Sequence, residues 1–299
     1  MGGYYMIIVQ LLGGLGNQMF QYAAGRSLAI HLDTELKLDA SQFDKTKTIT
    51  PRRYSLASFA VRETFASTQD LLRVRMPSSR LHNFLVGAYC AFSGRPVLAY
   101  KKEPHFHFDP DFFSTPDDAY LEGYWQSPRY FEKHADIIRK EFSLRHSPGA
   151  QNDLMAEKIR QSEAVSIHIR RGDYISDPMT FQHHGVCPLD YYHFAIRLIR
   201  EKCLDPHFYI FSDDSDWVQQ NLMMEVPHTY VTHNQNTNDA ADLWLMSLCQ
   251  HHIIANSSFS WWGAWLSDYK EKMIIAPKKW VNDETLDTSD LIPPSWYSI

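Results

Sequence analysis

The sequence predicts an α/β chain organised as two domains. An apolar run at residues 6–12 empties into a glycine loop and a helical pattern. A second α/β rhythm starts after residue 150, and in that half three apolar runs end in polar signatures. Strands that alternate with helices imply parallel sheets, whose carboxyl-end loops share one rim. Polar residues at successive strand ends therefore collect on one edge.

Composition bounds the function. At 299 residues, 44% hydrophobic and 14% aromatic, the chain has ample core material and is not disordered. Its 29 Lys+Arg against 35 Asp+Glu give a net charge of −6, which excludes a broad electrostatic grip on nucleic acid, so any anion site must be local. Cys90, Cys187, Cys203 and Cys249 are dispersed without Cys-x-x-Cys spacing, which predicts reduced thiols rather than a zinc site or redox pair. No apolar run reaches the ~20 residues of a bilayer span, since 81–100 is broken by polar residues, glycine and Pro96, and the first residues lack an export signal. The expectation is a soluble protein with peripheral membrane contact left open.

Taken in order, residues 6–12 read as a buried strand, 19–30 as a helix and 36–38 as a second strand, a βαβ opening. Its loop, Gly13-Gly14-Leu15-Gly16-Asn17-Gln18, has Met19 where a dinucleotide fingerprint needs its third glycine, yet Gly14 and Gly16 still let backbone amides approach a ligand at a helix start. Residues 41–128 are less regular and rich in aromatics, expected mostly as core with a minority facing a sugar. Residues 130–142 read as a helix, and the break at 146–149 sets the expected domains at 1–147 and 148–299. Beyond it come a helix at 153–161, a strand at 164–169, a helix at 189–204, and a strand at 208–211. A helix at 238–250, a strand at 253–255, a helix from 261 and a strand at 273–276 follow.

The three strand ends suggest chemistry. Arg170 and Arg171 offer planar, permanently charged forks suited to a diphosphate, and Ser257, Ser258 and nearby amides offer neutral donors to the same group. A carboxylate of Asp213 or Asp214 can accept from the N1–H and exocyclic amine of guanine. Singly, each has a plainer reading as a helix cap or solvated turn; jointly they suggest a nucleotide-sugar donor site. Asp213-Asp214, His183-His184 and His251-His252 are the candidate metal ligands. Adjacent residues on a strand point to opposite faces, and two arginines can neutralise a leaving diphosphate, so no metal cofactor is expected.

His168-Ile-Arg170-Arg171-Gly-Asp173 resembles the His-x-Arg-Arg-x-Asp motif of the α1,2- and α1,6-fucosyltransferase superfamily. The likeness extends to the stretches at 13–21, 123–127, 211–214 and 256–264, and is most like bacterial α1,2-fucosyltransferases of glycosyltransferase family 11. It implies a GT-B architecture, two Rossmann-like domains facing across a cleft, the first on the acceptor side and the second binding GDP-fucose. It implies an inverting, metal-independent transfer of L-fucose to the 2-hydroxyl of a terminal β-galactoside, on an oligosaccharide or lipid-linked glycan, in surface-polysaccharide (O-antigen) synthesis. By the same likeness Arg170 contacts the diphosphate, His168 and Arg171 shape the donor site, Ser257, Ser258 and Phe259 complete the phosphate cradle, and Asn256 is a further donor-binding residue. Asn17 approaches the donor from the first domain. Glu103, Asp173 and His105 are candidates for the general base, with Asp173 favoured instead as the partner that holds the arginines. A cytoplasmic enzyme, peripheral at most to the inner membrane, is implied. The alternatives are α1,6-fucosyl transfer, another GDP-sugar, or a non-catalytic carbohydrate- or nucleotide-binding protein.

Overall fold

The computed structural model describes residues 5–43, 52–75, 79–234 and 238–299, with the side chains of Asp173 and Ser176 left out. Contacts divide the chain into two compact units, Met1–Phe142 with Ser289–Leu291 and Ser143–Thr288 with Ile292–Ile299.

In the first unit β1 (Met6–Gln10) is buried at every position, so its sequence is a continuous apolar run rather than an alternation. The chain then makes α1 (Leu15–His31) and β2 (Glu35–Asp39), which pairs parallel to β1 with Val9 opposite Leu38. A Cβ on Gly25 would stand 3.0 Å from that of Val9, which shows how closely α1 lies on β1. Three helices follow around two more strands: α2 (Thr68–Leu71), α3 (Arg80–Ser93), β3 (Ala99–Lys102), β4 (Asp118–Glu122) and α4 (Ala135–Glu141). The sheet order is β2-β1-β4-β3, all parallel.

Among its described residues, the irregular stretch expected at 41–128 thus hides two strands and two α-helices. β4 carries carboxylates at both ends, and β3 is a half-buried edge strand of sequence Ala-Tyr-Lys-Lys; neither shows apolar periodicity. Asp118 instead forms a buried ion pair with Arg73 at 2.6 Å, and Arg73 Nε also donates to the carbonyl of Pro96. The helix expected at 130–142 starts as two 3₁₀ turns, Pro128–Tyr130 and Glu132–His134, before α4 begins.

The second unit runs α5 (Ala150–Arg160), β5 (Glu163–Ile169), α6 (Gly172–Ser176), α7 (Pro178–His184), α8 (Leu189–Arg200), β6 (Pro206–Ser212) and α9 (Ser215–Asn221). It continues with β7 (His228–Val231), α10 (Asp239–Ser247), β8 (His251–Ile253), α11 (Ser258–Leu266), β9 (Ile274–Ala276) and β10 (Tyr297–Ser298). Its six strands are ordered β10-β9-β8-β5-β6-β7, again all parallel. Strand alternation sends Val165, Ile167 and Ile169 to the face covered by α8, where Tyr192, Ala195, Ile196 and Ile199 meet them as the helical spacing predicts. Ala164 and its neighbours on the other face pack against α10 through Leu245 and Met246. Among the described residues no helix is long and apolar enough to cross a membrane.

Both sheets share one topological feature. Strand order reverses between β5 and β8 in the second unit and between β1 and β4 in the first, and open parallel sheets bind ligands outside the carboxyl ends of strands at such a switch point. The polar strand ends read from the sequence fall at these two places.

Candidate active site

In the second unit, Arg170 and Arg171 follow β5, Asp213 and Asp214 follow β6, and Asn256, Ser257 and Ser258 follow β8. Arg170 Nη1 lies 3.1 Å from Asp213 Oδ2, and the amide of Arg171 donates to Asp213 Oδ1 at 2.9 Å. Arg171 Nε donates to Asp214 Oδ2 at 3.1 Å, and its guanidinium carbon sits 3.3 Å from the centroid of the Trp217 ring. Asp213 and Asp214, of which one is expected to read a guanine edge, thus both engage the arginines. Asp173, expected in that orienting role, is the second residue of α6, its side chain outside the described residues. Gly172 permits the approach: a Cβ there would stand 2.4 Å from Asp213 Oδ2.

His168 points to the α10 and α11 side of the sheet, 3% exposed, its ring 5.2 Å from that of Phe259. Burial first, and then the Arg170 charge, lowers its pKa to about 3, so the ring is neutral at physiological pH. Its Nδ1 meets no partner among the described residues. Ser257 precedes α11 without a side-chain cap, and Ser258 opens that helix three residues earlier than its apolar pattern suggests. An anion near this terminus meets the positive end of the helix. Asn256 has a different place from the one expected. Its Nδ2 donates to the carbonyls of His184 at 2.9 Å and Trp280 at 3.2 Å, and its Oδ1 accepts from the Cys187 thiol, so it ties three loops together.

In the first unit the glycine loop follows β1 and residues 123–127 follow β4. Gln126 Nε2 donates to Asn17 Oδ1 at 2.8 Å, joining the two loops over the switch point. Gln18 donates to the carbonyls of Gly13 and Arg53 and accepts from the amide of Ser55, while Gln21 accepts from the amide of Leu12 and donates to the carbonyl of Gly123. These glutamines are the scaffold of the motif. Gly13 is left-handed at φ +77°, and a Cβ there would meet Asn17 Nδ2 at 2.6 Å. Gly14 lies beside the guanidinium of Arg52, and Gly16 is in the first turn of α1.

Glu103 follows β3 and accepts two backbone hydrogen bonds, from Tyr124 at 2.7 Å and Trp125 at 2.8 Å. Burial outweighs those two donors and raises its pKa to about 7. Trp125, at φ +55°, is in a left-handed conformation that a non-glycine residue seldom adopts, stabilised by packing on Phe112 and Tyr130. His105, the other candidate base, is exposed and stacked on His107.

The metal question turns on chemistry. Among the described residues one group, Glu163, Cys203 and His251, has donor atoms within 4.8 Å of one another. The amide of Met273 donates to His251 Nδ1, which leaves the neutral ring's proton on Nε2, and burial with Glu163 beside it pushes the Cys203 thiol up to about 11. With its Nδ1 lone pair taken by the Met273 amide, the neutral His251 ring offers a metal no free nitrogen, so this group lacks one of its three donors. His251 and His252 point apart, the latter bonded to Ser166. Asp213 and Asp214 already face arginines.

Three residues were missed from the sequence: Trp217, Arg52 and Gln126. Gln126 lies in a stretch already singled out, but nothing local marks Trp217 or Arg52, because their neighbours come from distant segments.

Comparison with known proteins fits this arrangement. Residues 4–299 match the family model described as glycosyl transferase family 11. An α-1,2-colitosyltransferase of Escherichia coli is 33% identical over 296 residues, covering 98% of this chain and 99% of that protein. The O-antigen biosynthesis glycosyltransferase WbnK of Escherichia coli is 34% identical over 301 residues, with 97% and 99% covered. A galactoside 2-α-L-fucosyltransferase of Caenorhabditis elegans is 26% identical over 311 residues, with 97% and 78% covered. The crystal structure of the α-1,6-fucosyltransferase NodZ with GDP superposes with a TM-score of 0.50 at 12% identity, covering 88% of this chain and 92% of that one, a likeness of fold. The two parallel α/β units make a GT-B type fold, and this chain is an enzyme of glycosyl transferase family 11.

Proposed function

We propose that the protein transfers L-fucose from GDP-β-L-fucose to the 2-hydroxyl of a terminal β-galactoside, with inversion, in O-antigen assembly. The observation that carries this is the pair Arg170 and Arg171, each held by a carboxylate at the switch point beside the start of α11. In the reaction the bond from the sugar's C1 to the diphosphate breaks as the acceptor oxygen bonds to C1 from the opposite face. Negative charge then develops on the diphosphate, where Arg170 receives it, with Arg171, Ser257 and Ser258 completing the cradle and His168 and Phe259 forming the adjoining wall. Asn17, Gly14 and Gly16 offer the glycine loop after β1 as a ligand-contacting loop, and Glu103 takes the acceptor proton. Because the arginines supply the positive charge, the reaction needs no metal.

A second reading concerns the sugar alone. The 33% identical relative is named a colitosyltransferase, and colitose is L-fucose without its 3-hydroxyl. A site that hydrogen-bonds a hydroxyl rejects the analogue lacking it by roughly 10⁴-fold, so the two donors are separable by rate. Incubation with GDP-fucose or GDP-colitose and lactose, in EDTA, with product linkage assigned by NMR, is expected to give α1,2-fucosyllactose. Preferred colitose transfer would select the second reading, and an α1,6 product, or GDP binding without transfer, would overturn the first.

Gly172 offers a sharper test of the cradle. Gly172→Ala drives a Cβ into Asp213, which must shift and release both Arg170 and the Arg171 amide. GDP affinity, measured by calorimetry, is expected to fall about tenfold, the equivalent of one charge-assisted hydrogen bond, with little change in thermal unfolding.

A further inference from the structure

We infer that α3 is a membrane-docking helix that lays its outer face into the interface of an anionic lipid bilayer. The inference is independent of which sugar is transferred. Leu81, Phe84, Leu85 and Phe92 are 71%, 72%, 58% and 94% exposed, whereas Val86 and Cys90 on the opposite face are buried. With Ala88, which is also exposed, the four lie within an arc of about 100° around the helix, a continuous apolar stripe turned to solvent. Single exposed leucines are ordinary; a stripe of two phenylalanines and two leucines is not.

Charge identifies the occupant. Residues 71–102 contain four arginines, two lysines and no Asp or Glu, in a chain of net charge −6. Arg73, Lys101 and Lys102 are each paired, with Asp118, Asp109 and Glu122. Arg75, Arg80 and Arg95 are exposed; Arg80 opens the helix, and Arg95, which follows its left-handed Gly94 cap, stays 46% exposed although its Nη1 lies 3.9 Å from Asp70 Oδ1. Basic residues flanking a short apolar stripe suit phosphate headgroups above and acyl chains below. Fourteen residues span only about 21 Å, so the helix lies in the interface rather than crossing. A second copy suits the stripe poorly, because a two-fold contact would set Arg80 and Arg95 against the same residues of its mate.

The test is flotation of the full chain with vesicles of phosphatidylcholine alone or mixed with phosphatidylglycerol. Binding is expected to the anionic vesicles only and to weaken with salt. The variant Phe84→Gln with Phe92→Gln removes two exposed rings without touching the core, and should loosen binding on the order of a hundredfold with transfer to soluble lactose unchanged. Arg80→Glu with Arg95→Glu should loosen it at least roughly fivefold per arginine and flatten its salt dependence. Failure to bind any vesicle, equal binding to neutral vesicles, or equal binding by both variants overturns the inference. So does a dimer in sedimentation that the phenylalanine variant dissociates while vesicles leave the wild type behind.

Discussion

Arg170→Ala is expected to slow transfer from GDP-fucose by about a hundredfold to a thousandfold while the protein still folds. The side chain is 23% exposed and its ion pair with Asp213 is partly solvated, so its loss costs the fold about 1 kcal/mol at most. Asp213 is not stranded, because it still accepts from the amide of Arg171. The rate is more sensitive than the fold. Charge that accumulates on the departing diphosphate is stabilised only by groups already in place, and removing one oriented donor at such a centre costs about 3–4 kcal/mol of barrier. Arg170→Lys should recover little of this, since an ammonium cannot make two parallel hydrogen bonds to a phosphate while holding the Asp213 contact. Turnover followed by GDP release, beside a thermal melt of each variant, separates the two effects. Near-normal turnover in Arg170→Ala would sink the assignment of the leaving-group site.

Arg171→Lys is a useful companion because the second arginine is built differently. Its guanidinium is stacked on Trp217 and tied through Nε to Asp214, so its plane is fixed by its neighbours. Lysine there loses the stacking and the fork together. The sequence placed both arginines at a strand end, because a β-branched apolar run and an immediate glycine are local signals. What it did not contain is the division of labour around them. Asp213 and Asp214 look like free acceptors until β5 and β6 are paired with Ile169 opposite Ser212, which brings the strand ends side by side. Asn256 reads as a donor-binding residue, and its side chain ties the loops from His184 and Trp280 together. In the first unit β1, α1 and β2 were legible because each is apolar with the right period. β3 and β4 were not, because their polar residues are satisfied by pairings such as Arg73–Asp118 that lie 45 residues apart in sequence.

Glu103 was only one of three candidate bases in the sequence, and its setting now makes a quantitative expectation. The carboxyl is buried enough that its pKa rises to about 7 despite two amide donors, so it is protonated below that pH and ionised above it. As a base, it acts only when ionised. The pH profile of kcat/KM should therefore rise to a plateau with a midpoint about 7, and Glu103→Gln should lower the plateau by about 10²–10⁴-fold and remove the limb. Stability carries the opposite sign. Since the folded pKa lies above the ordinary carboxylate value, burial favours the protonated form, and its contribution is lost as pH rises from the ordinary range to about 7. Glutamine, neutral throughout, should abolish that loss, although its amide group meets one of the two backbone N–H donors and offsets part of the gain. A residue that merely held Tyr124 and Trp125 in place would behave differently on the rate side: its replacement would lower transfer by the same factor at every pH and leave the limb intact. Parallel profiles for wild type and Glu103→Gln would thus return Glu103 to a positioning role, and a vanished limb would fix it as the group that takes the acceptor's proton.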